Sequence, residues 1–93
     1  MEILSRDDGK KGKFYIEEDG NMLAEMTYVW AGDKHFIIDH THVDESLKGK
    51  NVGKQLVHQA VMLAREKQVK ILPLCPFAKK VFEKVTDYHD VLF

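Results

Sequence analysis

The chain has one cysteine, two prolines and no apolar run longer than a few residues. A single cysteine excludes an intramolecular disulfide framework and a cysteine-rich zinc site. The short apolar runs exclude a membrane-spanning helix. Neither sign of charge prevails: fourteen Lys and Arg stand against fifteen Asp and Glu, for a formal net charge of -1. That balance argues against a generally basic nucleic-acid surface and leaves room for a local basic patch. Residues Met1 to Asp8 show no basic stretch followed by an apolar one, so no secretory leader is expected and the cytoplasm is the default address. Repeats, low-complexity stretches and Pro/Gly/Ser linkers are lacking too, so residues 1–93 are read as one domain, near the lower size limit for a single core.

What is present is a globular composition, with 44% hydrophobic and 31% charged residues. Residues 7–13 are polar, hold two glycines and are read as a mobile turn between two strands. Phe14 to Glu18 alternates into the hairpin signal Asp19-Gly20-Asn21. From Met22 to Trp30 the period is two, with Met22, Ala24, Met26, Tyr28 and Trp30 on one face. After the turn Ala31-Gly32-Asp33, residues Lys34 to Val43 form the next strand, which completes an antiparallel meander.

The period then changes. Val52, Leu56, Val57, Ala60, Val61, Leu63 and Ala64 recur at helical spacing and predict a helix from about Val52 to Lys67. Val69 to Leu74 reads as a buried strand, and Pro76 suits the first turn of a second helix, Phe77 to about Val85. Strand, helix and strand in that order make a βαβ unit. The expected class is a mixed α+β fold, a meander followed by βαβ and a C-terminal helix.

The richest stretch chemically is Leu47-Lys48-Gly49-Lys50-Asn51-Val52-Gly53-Lys54, which joins a strand to a helix start. A helix N-terminus is the positive end of the macrodipole and ordinarily draws Asp or Glu. Here no acidic residue occurs between Glu45 and Glu66, while Lys48, Lys50 and Lys54 do. Two glycines let backbone N–H groups approach a ligand. An anion, phosphate above all, completes such a site. A solvated lysine-rich turn would carry the same residues. The spacing matches neither a Walker A loop nor a Gly-x-Gly-x-x-Gly dinucleotide loop.

Cys75 leaves the carboxyl end of a strand and enters a helix start in Pro73-Leu74-Cys75-Pro76-Phe77. Helix N-termini favour the thiolate; a buried inert cysteine is the plainer alternative. Ligands of open α/β sheets bind beyond the carboxyl ends of strands, so the lysine loop and Cys75 should be neighbours. His40 near the end of the preceding strand could take a proton from a thiol or an amine. Strict alternation puts it on the Phe36/Ile38 face, partly buried, unless a bulge intervenes. His40 and His42 could share zinc only with a third ligand, and no Cys-x-x-Cys or His-Glu-x-x-His motif offers one. The expectation is no metal. His35, His58 and His89 read as surface or packing residues, and Tyr28 and Trp30 as core or the lining of an acceptor cleft.

Taken together, Ile38-Asp39-His40-Thr41-x-Val43, the loop from Leu47 to Val57, and Ile71-x-Pro73-Leu74-Cys75-Pro76-Phe77 resemble the short N-acetyltransferase-like branch of the GNAT superfamily. The likeness runs through essentially the whole chain. It implies a GNAT-like mixed sheet in which the strands flanking the main helix splay, with acetyl-coenzyme A in the gap. Pantetheine would pair with backbone near Thr41, His42 and Val43, and the pyrophosphate would sit on the loop Lys48, Gly49, Lys50, Asn51, Val52, Gly53 and Lys54. The family's loop has the form Arg/Gln-x-x-Gly-x-Gly/Ala, so Lys48 replaces the first residue and Asn51 the middle glycine. The resemblance also implies that Cys75 and His40 are the catalytic pair. Cys75 would carry the acetyl group, or an amine would attack directly with His40 or a water as base. The acceptor is implied to be a protein lysine, a polyamine or another small amine, reached from an open side without the N-terminal helices of larger relatives. A coenzyme A-binding module without turnover, or a small protein-interaction domain, is the alternative. No nucleic acid or membrane partner is expected, and the chain is read as a monomer or weak homodimer.

Overall fold

The computed structural model describes residues 2–93; Met1, the first residue of the segment read for a leader, lies outside them. The chain runs β1 (Leu4–Asp7), β2 (Lys11–Glu18), β3 (Asn21–Trp30), β4 (His35–Val43), a 3-10 turn (Glu45–Leu47), α1 (Val52–Lys67), β5 (Lys70–Pro73), α2 (Pro76–Lys84) and a 3-10 segment (Thr86–Val91). The strands lie in the order β1-β2-β3-β4-β5 in one sheet. The first four pair antiparallel, and β4 and β5 pair parallel across α1. The expected mixed sheet, meander first and βαβ after, is the observed one.

Asp19 (φ 51°) and Gly20 (φ 80°) make the two-residue turn between β2 and β3. Positive φ at both positions matches the twist of a hairpin. Residues 7–13 correct the sequence reading, because they are not a mobile turn. Only Asp8 to Lys10 turn, and their geometry is fixed by carboxylates. Asp8 Oδ1 accepts from the amides of Lys10 (2.8 Å) and Lys11 (2.9 Å), and Asp7 Oδ1 from Gly9 (2.7 Å). The segment is polar because a hairpin at the sheet edge is wet, and that polarity imitates a loop.

Gly12 lies inside β2 rather than in the turn. A methyl added there would run into Cζ and the hydroxyl of Tyr28 and lie 2.6 Å from the Arg6 carbonyl. The glycine is a notch through which the phenol of Tyr28 crosses β2.

One face of the sheet supplies Phe14, Ile16, Ala24, Met26, Tyr28, Phe36, Ile38 and Ile71 to the core. Leu56, Val57, Ala60, Val61 and Ala64 of α1 and Ala78, Val81 and Phe82 of α2 close it. Each large apolar side chain so buried contributes about 1.5–3 kcal/mol before the entropy of ordering it. The opposite face is shielded by its own polar side chains. Lys13 pairs with Glu25 (3.3 Å), Thr27 donates to Asp39 (2.6 Å), and Arg6 and Lys13 lie over the Tyr15 ring. Beyond α2, Asp90 receives both Nε and Nη2 of Arg65 at 2.9 Å, and Leu92 bridges to Ile71 on the outer edge of β5.

Candidate functional site

The pairing of β4 and β5 ends at Ile38 and Pro73. Leu74 and Cys75 both donate their amides to the Ile38 carbonyl, at 3.0 Å each, and the chain then turns into α2. β4 continues to Val43 along β3 alone. The two parallel strands therefore part, and the edge of β4 from Asp39 onward borders a gap.

A bulge governs what faces that gap. Tyr28 pairs with Ile38 and Thr27 with His40, so Asp39 is an extra residue in β4. Such a bulge puts two consecutive residues on one side and reverses the alternation beyond them. Phe36 and Ile38 are buried, Asp39 and His40 are both exposed, and Thr41 and Val43 return to the helix side. This corrects the alternation argument: His40 is not on the Phe36/Ile38 face but on the opposite, open one. The bulge also sets the backbone. Asp44 donates to Leu23 of β3 at 2.7 Å, so strand geometry turns the N–H and C=O groups of Thr41 and Val43 toward the gap and those of His42 toward β3.

Cys75 sits across the mouth of the gap, buried, as the cap residue of α2. Its Sγ lies 3.3 Å from Thr41 Oγ1. The structure thus brings Cys75 to Thr41, while His40 stands on the other side of the sheet. Sequence reasoning valued Thr41 for its backbone only, since the hydroxyl's placement depends on the bulge.

The loop before α1 begins with the 3-10 turn, capped by Asp44, whose side chain accepts from the hydroxyl (2.7 Å) and the amide (3.0 Å) of Ser46. Those bonds hold the Asp44 carboxyl below its ordinary range. Lys48 pairs with Glu45 at 2.9 Å in solvent, a contact of small energy that leaves the ammonium free to exchange partners. Gly49 (φ 80°) and Asn51 (φ 57°) both take the left-handed conformation, Asn51 as the residue before α1. Asparagine tolerates that region better than most residues. The Lys50 carbonyl accepts from Gln55 Nε2 at 3.1 Å.

No side chain among the described residues caps α1, and its first turn holds no acidic residue. The amides of Gly49, Asn51, Val52, Gly53 and Lys54 have no protein acceptor among the described residues; the first bond of the helix is Gln55 N–H to the Asn51 carbonyl, 3.0 Å. Val52 and Gly53 are buried and offer backbone alone, whereas Lys50 and Lys54 are exposed. This end of the molecule presents free N–H donors, a helix dipole and ammonium groups together, which is the chemistry of an anion site. The Phe77 ring of α2, two residues after Cys75, lies against Gly53 of α1.

A second polar cluster lies at the other end of the sheet and was not singled out by sequence. Asp7 Oδ2 accepts from the Tyr28 hydroxyl (2.7 Å) and the Trp30 indole (2.9 Å). Partial burial pushes the Asp7 carboxyl up. The hydrogen bonds from Trp30, Gly9 and Tyr28 and the charge of Lys67 outweigh that and hold it below the usual carboxylate range. Burial and the neighbouring Asp7 raise the Tyr28 phenol. A cleft of about 710 Å3 opens beside it, lined by Phe14, Trp30, Leu63, Lys67 and others. Tyr28 and Trp30 thus line a cleft remote from the gap. Of the other histidines, His35 stacks on Phe93, His58 meets the Tyr88 hydroxyl at 3.0 Å and His89 the Phe82 carbonyl at 2.7 Å. Among the described residues no three His, Cys, Asp or Glu side chains gather as a metal site.

Residues 13–91 match the sequence model of the GCN5-related N-acetyltransferase family. A GCN5-like protein from Staphylococcus aureus, of the N-acetyltransferase type and solved in solution by NMR, is 41% identical, and the match covers 99% of this chain and 87% of that one with a TM-score of 0.77. The crystal structure of a ribosomal-protein-alanine N-acetyltransferase from Brucella melitensis shares the fold at a TM-score of 0.68 and 20% identity, over 84% of this chain and 62% of its own. An IAA acetyltransferase from Bacillus cereus does so at 0.62 and 19%, over 81% of this chain and 53% of its own. The present chain therefore spans less than two thirds of those two larger proteins. No curated protein sequence matches it.

Proposed function

The chain belongs to the GCN5-related N-acetyltransferase family, and from that premise we propose that it moves an acetyl group from acetyl-coenzyme A to an amine. The observation that carries the proposal is the parting of β4 and β5 after Ile38 and Pro73 beside a helix start whose amides lack protein acceptors among the described residues. Bound there, acetyl-coenzyme A would supply an acetyl group activated as a thioester and a pyrophosphate anion.

Each element of the gap has a part that fits. The amides of Gly49 and of Asn51 to Lys54, with the ammonium groups of Lys48, Lys50 and Lys54, would hold the pyrophosphate. The inward-facing backbone of Thr41 and Val43 would pair with the extended arm as an added strand does, and the Val43 N–H would polarise the thioester carbonyl. His40 stands on the open face, from which an acceptor can approach without displacing a helix. We assign it the acceptor's proton rather than that of Cys75, since the sheet separates the two side chains.

A second route is favoured by the contact between Cys75 and Thr41 at the apex of the gap. In it Cys75 Sγ would take the acetyl group as coenzyme A leaves as its thiol, and the amine would then receive the acetyl group, forming the amide and returning the Cys75 thiol. Transfer assays with lysine peptides, polyamines and small amines separate the routes. For direct transfer, His40→Ala should lose about 100-fold or more in kcat with acetyl-coenzyme A affinity intact, and Cys75→Ser should lose far less. Abolition of transfer by Cys75→Ser, with an acetyl adduct on wild-type Cys75 when acceptor is withheld, would establish the covalent route. Binding of acetyl-coenzyme A without transfer to any acceptor would make the protein a binding module.

A further inference from the structure

Gly53 is the second residue of α1, in its first turn, and glycine is a poor helix former there as elsewhere. Its backbone does not call for glycine, since the positive-φ glycines are Gly9, Gly20, Gly32 and Gly49. A methyl at Gly53 would instead fall on Cζ of Phe77 and lie 2.6 Å from Cε2 and 3.2 Å from Cε1. Phe77 is the second residue of α2, two after Cys75, and the residue remains 41% exposed. The ring therefore reaches from the start of one helix to the start of the other and rests on the only kind of residue that leaves it room.

The two helix starts would serve opposite ends of one ligand. The start of α1 has the free amides and lysines suited to the anionic head, and the start of α2 has Cys75 beside Thr41 at the reacting end. We propose that Phe77 is a positioning residue: its ring, seated on Gly53, sets the spacing between the head site and Cys75, so that a ligand occupying both is held in register. The inference rests on the coenzyme reading above. It assigns the missing side chain of Gly53 to Phe77 and leaves its amide to the phosphate, and it makes a distinct prediction for a ligand that fills only the head site.

The experiment measures dissociation constants of acetyl-coenzyme A and of 3′-phosphoadenosine 5′-diphosphate, the same head without the pantetheine arm, by calorimetry. The proteins are wild type, Gly53→Ala, Phe77→Ala and the double variant. Phe77→Ala should weaken acetyl-coenzyme A about tenfold through lost register and leave the head-group ligand within about twofold. Gly53→Ala should be the worst of the three for acetyl-coenzyme A. In the double variant the cost of the added methyl should vanish, leaving it equal to Phe77→Ala, a coupling expected of residues in contact. If Gly53→Ala costs as much with the ring absent as with it present, the glycine serves the ligand and the proposal is overturned. Equal weakening of both ligands by Phe77→Ala overturns it as well. Should wild type bind neither ligand, the coenzyme reading falls and the positioning role with it, while thermal midpoints of the same four proteins still report whether the ring and the methyl collide.

Discussion

At the end of the sheet where β1 turns into β2, the Asp7 carboxylate takes hydrogen bonds from Tyr28, Trp30 and Gly9. At the end where β4 and β5 part, the first amides of α1 have no protein acceptor among the described residues. Both ends have a cleft, charge and glycine. They differ in whether the polar groups are spent. Asp7 answers donors that folding would otherwise bury, and Gly12 makes the space for it, so that end is explained by stability. Among the described residues the helix start answers no acceptor, and three lysines add to its positive end. A donor set left over after folding points to a partner from outside.

The contrast breaks most visibly at Gly12. Gly12→Ala should force Tyr28 off Asp7 and overpack the core, lowering stability by about 2–4 kcal/mol. For a chain of this size the thermal midpoint should fall by on the order of 10–20 °C. Coenzyme A affinity of the folded fraction should not change. A normal midpoint would mean that the notch is dispensable.

Asp7→Asn should have a smaller effect, about 1 kcal/mol at neutral pH, because the carboxylate is exposed and solvent screens its bonds. The pH dependence has a definite sign. The folded-state pKa of Asp7 is lowered, so its contribution is complete above the unfolded value of 3.8 and is lost as pH falls through the lower, folded value. Wild type and Asp7→Asn should therefore converge in chemical-denaturation stability at acid pH and differ at neutral pH. A constant difference at every pH would show that the charge is idle.

The smallest change in stability carries the sharpest contrast. Lys54→Glu places an acidic residue in the first turn of α1, where the dipole prefers it, and should stabilise the fold by about 0.5 kcal/mol. It should at the same time weaken coenzyme A binding by about tenfold, through reversed charge at the anion site. A variant that gains stability and loses the ligand separates the demands of the helix from those of the site. Loss of both, or of neither, would remove Lys54 from the anion site.

Much of this was legible in the sequence where an apolar periodicity marked it. The stripe from Val52 to Ala64 locates α1, and Met22 to Trp30 locates β3, because burial selects side chains at a fixed spacing. Strand order predicts that the lysine loop and Cys75 lie at the same end of the sheet, and the Phe77 ring, two residues after Cys75, rests on Gly53. The bulge at Asp39 was not legible. Asp39 to His42 are polar or small, so no apolar residue declares which face is which, and pairing with β3 inserts the extra residue. That one residue moves His40 to the open face and Thr41 to Cys75. Gly12 read as a turn glycine because the ring that requires it is sixteen positions away at Tyr28. The segment after Val85 shows no period, and its place is fixed by distant partners, Arg65 on Asp90 and Ile71 on Leu92.

The unspent donors at the parting of β4 and β5 are proposed as a coenzyme A site. Thermal unfolding of the wild-type chain with acetyl-coenzyme A, coenzyme A, ATP or a short DNA duplex tests it most directly. At about a hundred times its dissociation constant a ligand adds about 2.7 kcal/mol, which should raise the midpoint by on the order of 10 °C. Both coenzyme A forms should give that shift, and ATP or DNA little. No shift with either coenzyme A form at millimolar concentration would contradict it and leave a family fold without the family's ligand.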